Sequence, residues 1–491
     1  MIRIVRCLGV ALTVLLPVVA SADNKVPHPR ASYVVAPPQP NAPKPTDVLT
    51  GQVIYLNNCA AGCTVKPGNE DASTMTSEIA SKTANWTEFA WQPGEWEAVV
   101  QCVKEVYSPY SVVVTDQLPQ SAYNMEIIAG DPRDIGLTNG VGGIALVSND
   151  CSPRQNSIAF AFTSAIDVFA QEDANNRIWG MCWTASQEIA HIYGLDHEYA
   201  YLDDMSSACN DPMTYRDDCG GQKFFRNRAA NCGEFGPARP GCGPSNTCAS
   251  AQNSHLKLLG LFGPGTPLTT PPVVAITSPA GGGAIASGAT LIISASAQRG
   301  VAKLDLYING YQWAEVKGHG FGPNGQDTSA YTITLPTSIP DGVMDMVVKA
   351  YDDIGAETDS ATVTVTKGAP CADASSCAKG QMCDSGKCFW TPAAGMLGDK
   401  CTYPQACVSG LCEGTSDTDQ ICTQSCVVGS TDACPMGFDC LMTSGNDGVC
   451  FTQSSGGCCS VGSEPHAVYA HAFLALAVLG FVARRRRRAA R

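Results

Sequence analysis

Between residues 51 and 265 the apolar positions change period several times. "GQVIYLNN" (51–58) alternates and predicts a strand. In "PGEWEAVVQCVKEVY" (93–107), Trp96, Val99, Val100, Val103 and Val106 recur at helical spacing. Four strand candidates follow: "YSVVVTD", "NMEIIAG", "GGIALVS" and "SIAFAF", the last alternating Ile158, Phe160 and Phe162 on one face. A long helix is predicted from about residue 174 to Gly194, and another in "AQNSHLKLLGLF" (251–262). Strand, helix, strands, helix, loop, helix is the order of an α+β or α/β domain with one central sheet. From residue 271 to 367 the texture changes to short alternating runs parted by turns, with no cysteine. That pattern predicts an all-β immunoglobulin-like sandwich.

The chain has 491 residues, which predicts several domains, and its 44% hydrophobic and 15% charged composition allows most of it to fold. A net charge of −14, with a basic cluster only at the extreme C-terminus, excludes nucleic acid as a partner. Residues 1–22 read as a secretory signal: Arg3 and Arg6, an apolar run from Cys7 to Ala20, and a small-residue cleavage site at Ala20-Ser21-Ala22. Residues 23–50 ("VVAPPQPNAPKP") are rich in proline and predict an extended linker or a pro-segment.

Of 25 cysteines, ten lie in residues 59–248 and twelve in residues 371–450. Export and even counts predict two separately cross-linked modules, the second a disulfide-rich domain over 371–450. At the end, "AVYAHAFLALAVLGFVA" precedes five arginines, Arg484 to Arg488, and predicts a single hydrophobic helix contacting the membrane with the body outside. Residues 456–491, with "SSGGCCSVG" before that run, resemble the C-terminal surface-sorting segments of myxobacteria, in which the cysteine motif is a processing site. The resemblance implies an exported protein, held at the cell surface or secreted after processing. "ITSPAGG" and "VKAYDDIG" in residues 271–367 resemble the bacterial Ig-like domains of surface proteins. That resemblance implies a spacer or a binding module.

The candidate chemistry sits in "SQEIAHIYGLDH" (186–197). Residues four apart on a helix share a face, and this is how two side chains are aimed at one metal ion with a glutamate beside them as base. A glycine then ends the helix with a positive φ, and a third ligand follows three residues later. Glu188, His191, Gly194 and His197 stand in those positions, in a chain with seven histidines in all. The pattern resembles the metzincin metallopeptidases, whose motif is HExxHxxGxxH followed by a methionine turn. "DPMTY" is the matching turn, with Met213 as the floor under the metal and Tyr215 beside it, and Glu198 also follows the astacin-like pattern. The resemblance implies a zinc ion, a peptide or protein substrate, Glu188 and Tyr215 as catalytic residues, and the residue at 187 with His191 and His197 as ligands.

The departure is Gln187, where the motif has its first histidine. An amide oxygen reaches a metal but is a poorer donor to zinc than imidazole. His255 is the other histidine of this block, and Cys182, on another helix face, is expected in a disulfide. Two accounts stay open: an exported zinc metallopeptidase with a Gln/His/His site, and an inactive metzincin-fold surface protein that binds or supports.

Overall fold

The computed structural model describes residues 30–452, apart from 170–173, 217–218, 220, 235–237, 319–329, 415–419, 429–433 and 445–446. The expected signal (1–22) and C-terminal hydrophobic helix (456–491) lie outside the described residues. Among the described residues no helix is long and apolar enough to cross a membrane. The protein is multidomain and strand-rich, and its contacts divide it into two compact units, Met1–Phe389 and Trp390–Arg491.

The first domain runs β1 (Arg30–Ala36), β2 (Gln52–Asn57), β3 (Cys63–Pro67), β4 (Thr76–Ser77), β5 (Ala84–Trp86), α1 (Glu95–Tyr107), β6 (Val112–Thr115), β7 (Asn124–Ile128), β8 (Val141–Ser148), β9 (Ile158–Ala161), α2 (Thr163–Phe169) and α3 (Ala174–Ile192). One sheet takes the order β1-β8-β9-β7-β2-β6. β6, β2, β7 and β9 run parallel, β8 runs antiparallel to β9, and β1 lies parallel to β8. A sheet with parallel strands is covered on both faces, and so is this one. Val99, Val103, Ala185 and Ile189 of α1 and α3 pack over Ala159 and Ala161 on one face. Trp86, Ile127, Ile158, Phe160 and Phe162 fill the other, as the alternation in β9 predicts. Cys102–Cys182 ties α1 to α3, which places Cys182 in a bridge.

Sequence reasoning did not foresee β1, nor the short strands β3, β4 and β5. β1 lies in the stretch expected to be a linker or pro-segment, yet it pairs with β8 from Arg30↔Val141 to Ala36↔Ser148. After α3 the chain forms the pair β10 (Glu198–Tyr201) and β11 (Ala230–Cys232), then α4 (Ser254–Phe262). The Asn253 side chain caps α4 by accepting from Leu256 N at 2.9 Å.

The second domain is a two-sheet sandwich. β12 (Val273–Ser278), β13 (Ala284–Ile285), β14 (Thr290–Ser296), β15 (Lys303–Ile308), β16 (Tyr311–Lys317), β17 (Ala330–Thr334), β18 (Gly342–Tyr351), β19 (Glu357–Asp359) and β20 (Val363–Lys367) form sheets β12-β14-β17 and β13-β20-β18-β15-β16, with β19 on β18. The period-2 pattern of β18 turns Met344, Met346, Val348 and Ala350 inward against Leu291, Ile293 and Tyr331.

All ten cysteines from Cys59 to Cys248 pair among themselves, and so do all twelve from Cys371 to Cys450. The division between the compact units falls inside the expected 371–450 block. Cys371–Cys383 and Cys377–Cys388 close a small knot that belongs with the sandwich. Asn309 donates to the Cys388 carbonyl at 2.9 Å, and Lys387 pairs with Asp345 of β18 at 2.5 Å. The remaining four bridges, Cys401–Cys412, Cys407–Cys422, Cys426–Cys440 and Cys434–Cys450, hold the second unit.

Candidate metal centre

α3 carries Gln187, Glu188 and His191, all buried at no more than 1% exposure. The helix stops because Gly194 takes φ +81°, and a Cβ there would stand 2.2 Å from the Cys151 carbonyl oxygen. Two bonds close the turn, Gly194 N to His191 O at 2.9 Å and Leu195 N to Ala190 O at 3.1 Å. Lys257 of α4 donates to the Gly194 carbonyl. The reversal brings His197 back to His191: their Nε2 atoms lie 3.0 Å apart, with the rings at 82°.

The proton on His191 is located by its other neighbour. The Leu195 carbonyl only accepts, so His191 Nδ1, 2.8 Å away, donates to it and Nε2 carries a lone pair. Burial, and next the adjacent His197, hold His191 well below the ordinary imidazole range. His197 Nδ1 lies 3.7 Å from Glu234 Oε1 on the rim.

Glu188 points at β8. Both its carboxyl oxygens are buried without a hydrogen-bond partner among the described residues, and burial raises its pKa well above the carboxylate range. A Cβ on Gly143 would come within 2.7 Å of Glu188 Cγ and 2.8 Å of Oε1. The glycine is what lets the carboxyl lie between helix and strand.

The Met213 turn is tied in from three sides. Trp183 Nε1 donates to the Pro212 carbonyl at 2.8 Å, Met213 N donates to Asp211 Oδ1 at 2.8 Å, and Glu198 N donates to the Met213 carbonyl at 2.7 Å. Met213 is fully buried, and the Tyr215 ring lies 4.2 Å from the His197 ring. Gln187 Nε2 reaches the Thr214 carbonyl at 3.5 Å, so its amide is oriented by the same turn. Burial, then the nearby Glu188, raise the Tyr215 phenol far above its usual range. His255 takes no part here; its Nδ1 faces Tyr110 OH at 3.0 Å.

Two residues that sequence reasoning missed complete the surroundings. Tyr33 of β1 covers both imidazoles, with ring centroids 5.0 Å from His191 and 5.2 Å from His197. Its hydroxyl donates to Asp196 Oδ1 at 3.2 Å. Asp196 also accepts from Arg239 at 2.6 Å, Gly243 N at 2.7 Å and His197 N at 2.8 Å. Asp196 stood inside the quoted motif, but nothing in its neighbours announced these distant donors.

Comparison with known proteins identifies the second domain. A family model described as a bacterial Ig domain matches residues 272–366, so this part of the chain is a bacterial Ig-like domain. No curated protein matches the chain. Among solved structures, the fibronectin(III)-like modules of CbhA from Clostridium thermocellum share 21% identity, covering 19% of this chain and 94% of theirs, at a TM-score of 0.15. The SrpA adhesin of Streptococcus sanguinis shares 16%, covering 21% and 60%, at 0.15. OgpA from Akkermansia muciniphila shares 12%, covering 51% and 65%, at 0.15. At such TM-scores these likenesses carry no argument, and the domain assignment rests on the family model.

Proposed function

We propose that residues 51–265 are a metzincin-type zinc peptidase domain of an exported protein, and that residues 23–50 are its pro-segment. The observation that carries the reading is the 3.0 Å approach of two imidazole Nε2 atoms, with the His191 proton on its far nitrogen. A lone pair aimed at a second ring nitrogen repels it unless a cation or a proton joins them. Two nitrogens that each lie ~2.0–2.1 Å from one tetrahedral zinc are about 3.3 Å apart, near the spacing here. His191 and His197 offer nitrogen and Gln187 an amide oxygen, a donor set that suits zinc with reduced affinity. When bound, the ion supplies Lewis acidity toward water and a peptide carbonyl.

The chain's own groups supply the rest. Glu188 has no competing hydrogen bond among the described residues and a raised pKa, which suits a group that takes a proton from water and returns it to the leaving amine. Tyr215 is a phenol donor beside His197 for the charge that develops on the carbonyl oxygen. β8 is the strand beside Glu188, and an extended peptide adds to a strand edge by backbone pairing. β1 occupies that edge with Tyr33 over the histidines, which supports a pro-segment and a latent form. The cross-linking of all cysteines from Cys59 to Cys450 supports export. Membrane contact through residues 467–483 is proposed from their apolar sequence.

The alternative is a retired protease fold with a binding or structural role. It is favoured by Gln187, whose amide is engaged by Thr214. Elemental analysis and peptide hydrolysis on the full chain separate the two, with Tyr33→Ala as background to remove the cover. The peptidase reading expects about one zinc per chain. Glu188→Ala should keep that metal and lose hydrolysis, and Gln187→His should bind it about 10–100-fold more tightly. If the Tyr33→Ala chain holds no metal and cleaves nothing while Gln187→His gains both, the retired reading stands.

A further inference from the structure

A domain used as a spacer leaves its turns in water, but two turns of the Ig-like domain do not. Arg299, between β14 and β15, is fully buried. Its guanidinium donates to both carboxylate oxygens of Asp353, after β18, at 2.8 and 3.1 Å. It also donates to the Phe225 carbonyl of the first domain at 2.8 Å and lies 4.9 Å over the Phe224 ring. Arg226 approaches from the other side, with Nε 3.3 Å from Asp353 Oδ2 and a bond to the Arg299 carbonyl at 2.6 Å. Asn227 N donates to Asp353 Oδ2 at 3.1 Å. Further along the seam, Gln298 donates to Glu105 at 2.6 Å and to Gln222 at 3.1 Å.

One buried carboxylate therefore sits between two guanidiniums, one from each domain. Asp353 is the member such a cluster can least lose, because without it two guanidiniums are left buried and unpaired. Bidentate arginine also fixes orientation as well as distance.

Arg226 is where this cluster meets the candidate metal centre. Its backbone N–H donates to Asp211 Oδ2 at 2.7 Å, and Ser254 Oγ donates to the same oxygen at 2.5 Å. Asp211 Oδ1 holds Met213 N at 2.8 Å. The Met213 carbonyl accepts from Glu198 N, next in sequence to His197. A continuous set of hydrogen bonds thus runs Asp353, Arg299, Arg226, Asp211, Met213, Glu198, with the Arg226–Asp353 ion pair beside its first steps.

We infer that the Ig-like domain is a built-in partner of the peptidase-like domain, with Arg299 and Asp353 as positioning residues for the Met213 turn. The docking stands on the contacts alone, whereas the role toward metal rests on the zinc reading. Physical coupling of this kind needs a measured response at both ends.

The test is backbone hydrogen exchange on the full chain, followed by the absorption spectrum of the cobalt(II)-loaded protein. Asp353→Asn should speed exchange in residues 211–216 and 224–228 by on the order of tenfold or more, while α1 keeps its protection. The cobalt spectrum should change with it, because a purely structural loosening elsewhere leaves the metal's ligand field alone. If Asp353→Asn unfolds α1 as well, Arg299→Lys carries the same comparison, since it keeps the charge and gives up the two-point bond. Unchanged exchange at 211–216 and 224–228 in both variants overturns the inference. Faster exchange with an unchanged cobalt spectrum overturns the positioning role. Faster exchange in a chain that takes up no cobalt, wild type included, supports the docking and sinks the zinc reading instead.

Discussion

At position 187 a buried amide stands beside Glu188, one turn before His191 on the same helix. The set Glu188, His191, Gly194 and His197 was legible because helical spacing and one glycine turn are local properties. Tyr33, Asp196 and Gly143 were not legible, because their roles come from remote segments. Tyr33 and Asp196 are 163 residues apart. Gly143 reads as an ordinary strand glycine until Glu188 is laid against it. His255 yields a test at this scale. Burial, and next the charge of Arg299, push its imidazole down from the ordinary 6.5 to about 4. Between those values the unfolded chain holds a proton that the folded chain refuses, so stability falls as pH drops from 6.5 to 4. His255→Gln should flatten that fall in denaturant titrations across the window. An unaltered pH profile would place the acid sensitivity elsewhere.

β1 is the element on which the proposal of a latent form depends. Proline content after residue 36 made an extended linker the natural expectation, and it masked the seven residues before it. The pairing with β8 is what makes them a strand. Val34 and Val35 lie 38% and 51% exposed, so the cover over the imidazoles comes from Tyr33. Tyr33→Ala in the full chain should therefore speed diethyl pyrocarbonate modification of His191 and His197 by on the order of tenfold. An unchanged rate would mean that something other than β1 shields the rings. The sandwich strands, by contrast, were legible from alternation alone, because a sheet buried on one face writes its period into the sequence. The dock between the domains was hidden for the opposite reason. Arg299 and Asp353 occupy turns, where charged residues ordinarily meet water.

For the whole molecule, cysteine parity anticipated two cross-linked blocks, and the bridges respect them. It did not anticipate that the bridges Cys371–Cys383 and Cys377–Cys388 would side with the sandwich, because parity counts bonds and not surfaces. Peptide mapping of the unreduced protein should recover Cys377–Cys388 and Cys401–Cys412 as neighbouring but separate loops. A bridge joining residues 371–388 to residues 401–450 would break the division between the units. The dock between the first two domains has a consequence for descent. Arg226, Arg299 and Asp353 lie in two domains, and the two arginines share the one carboxylate that neutralises them. Shuffling would scatter them, so the pair of domains is expected to pass between lineages as one heritable block. Chains carrying the same sandwich on a free tether should lack the trio, which turns three letters of sequence into a marker for when the two domains became one machine.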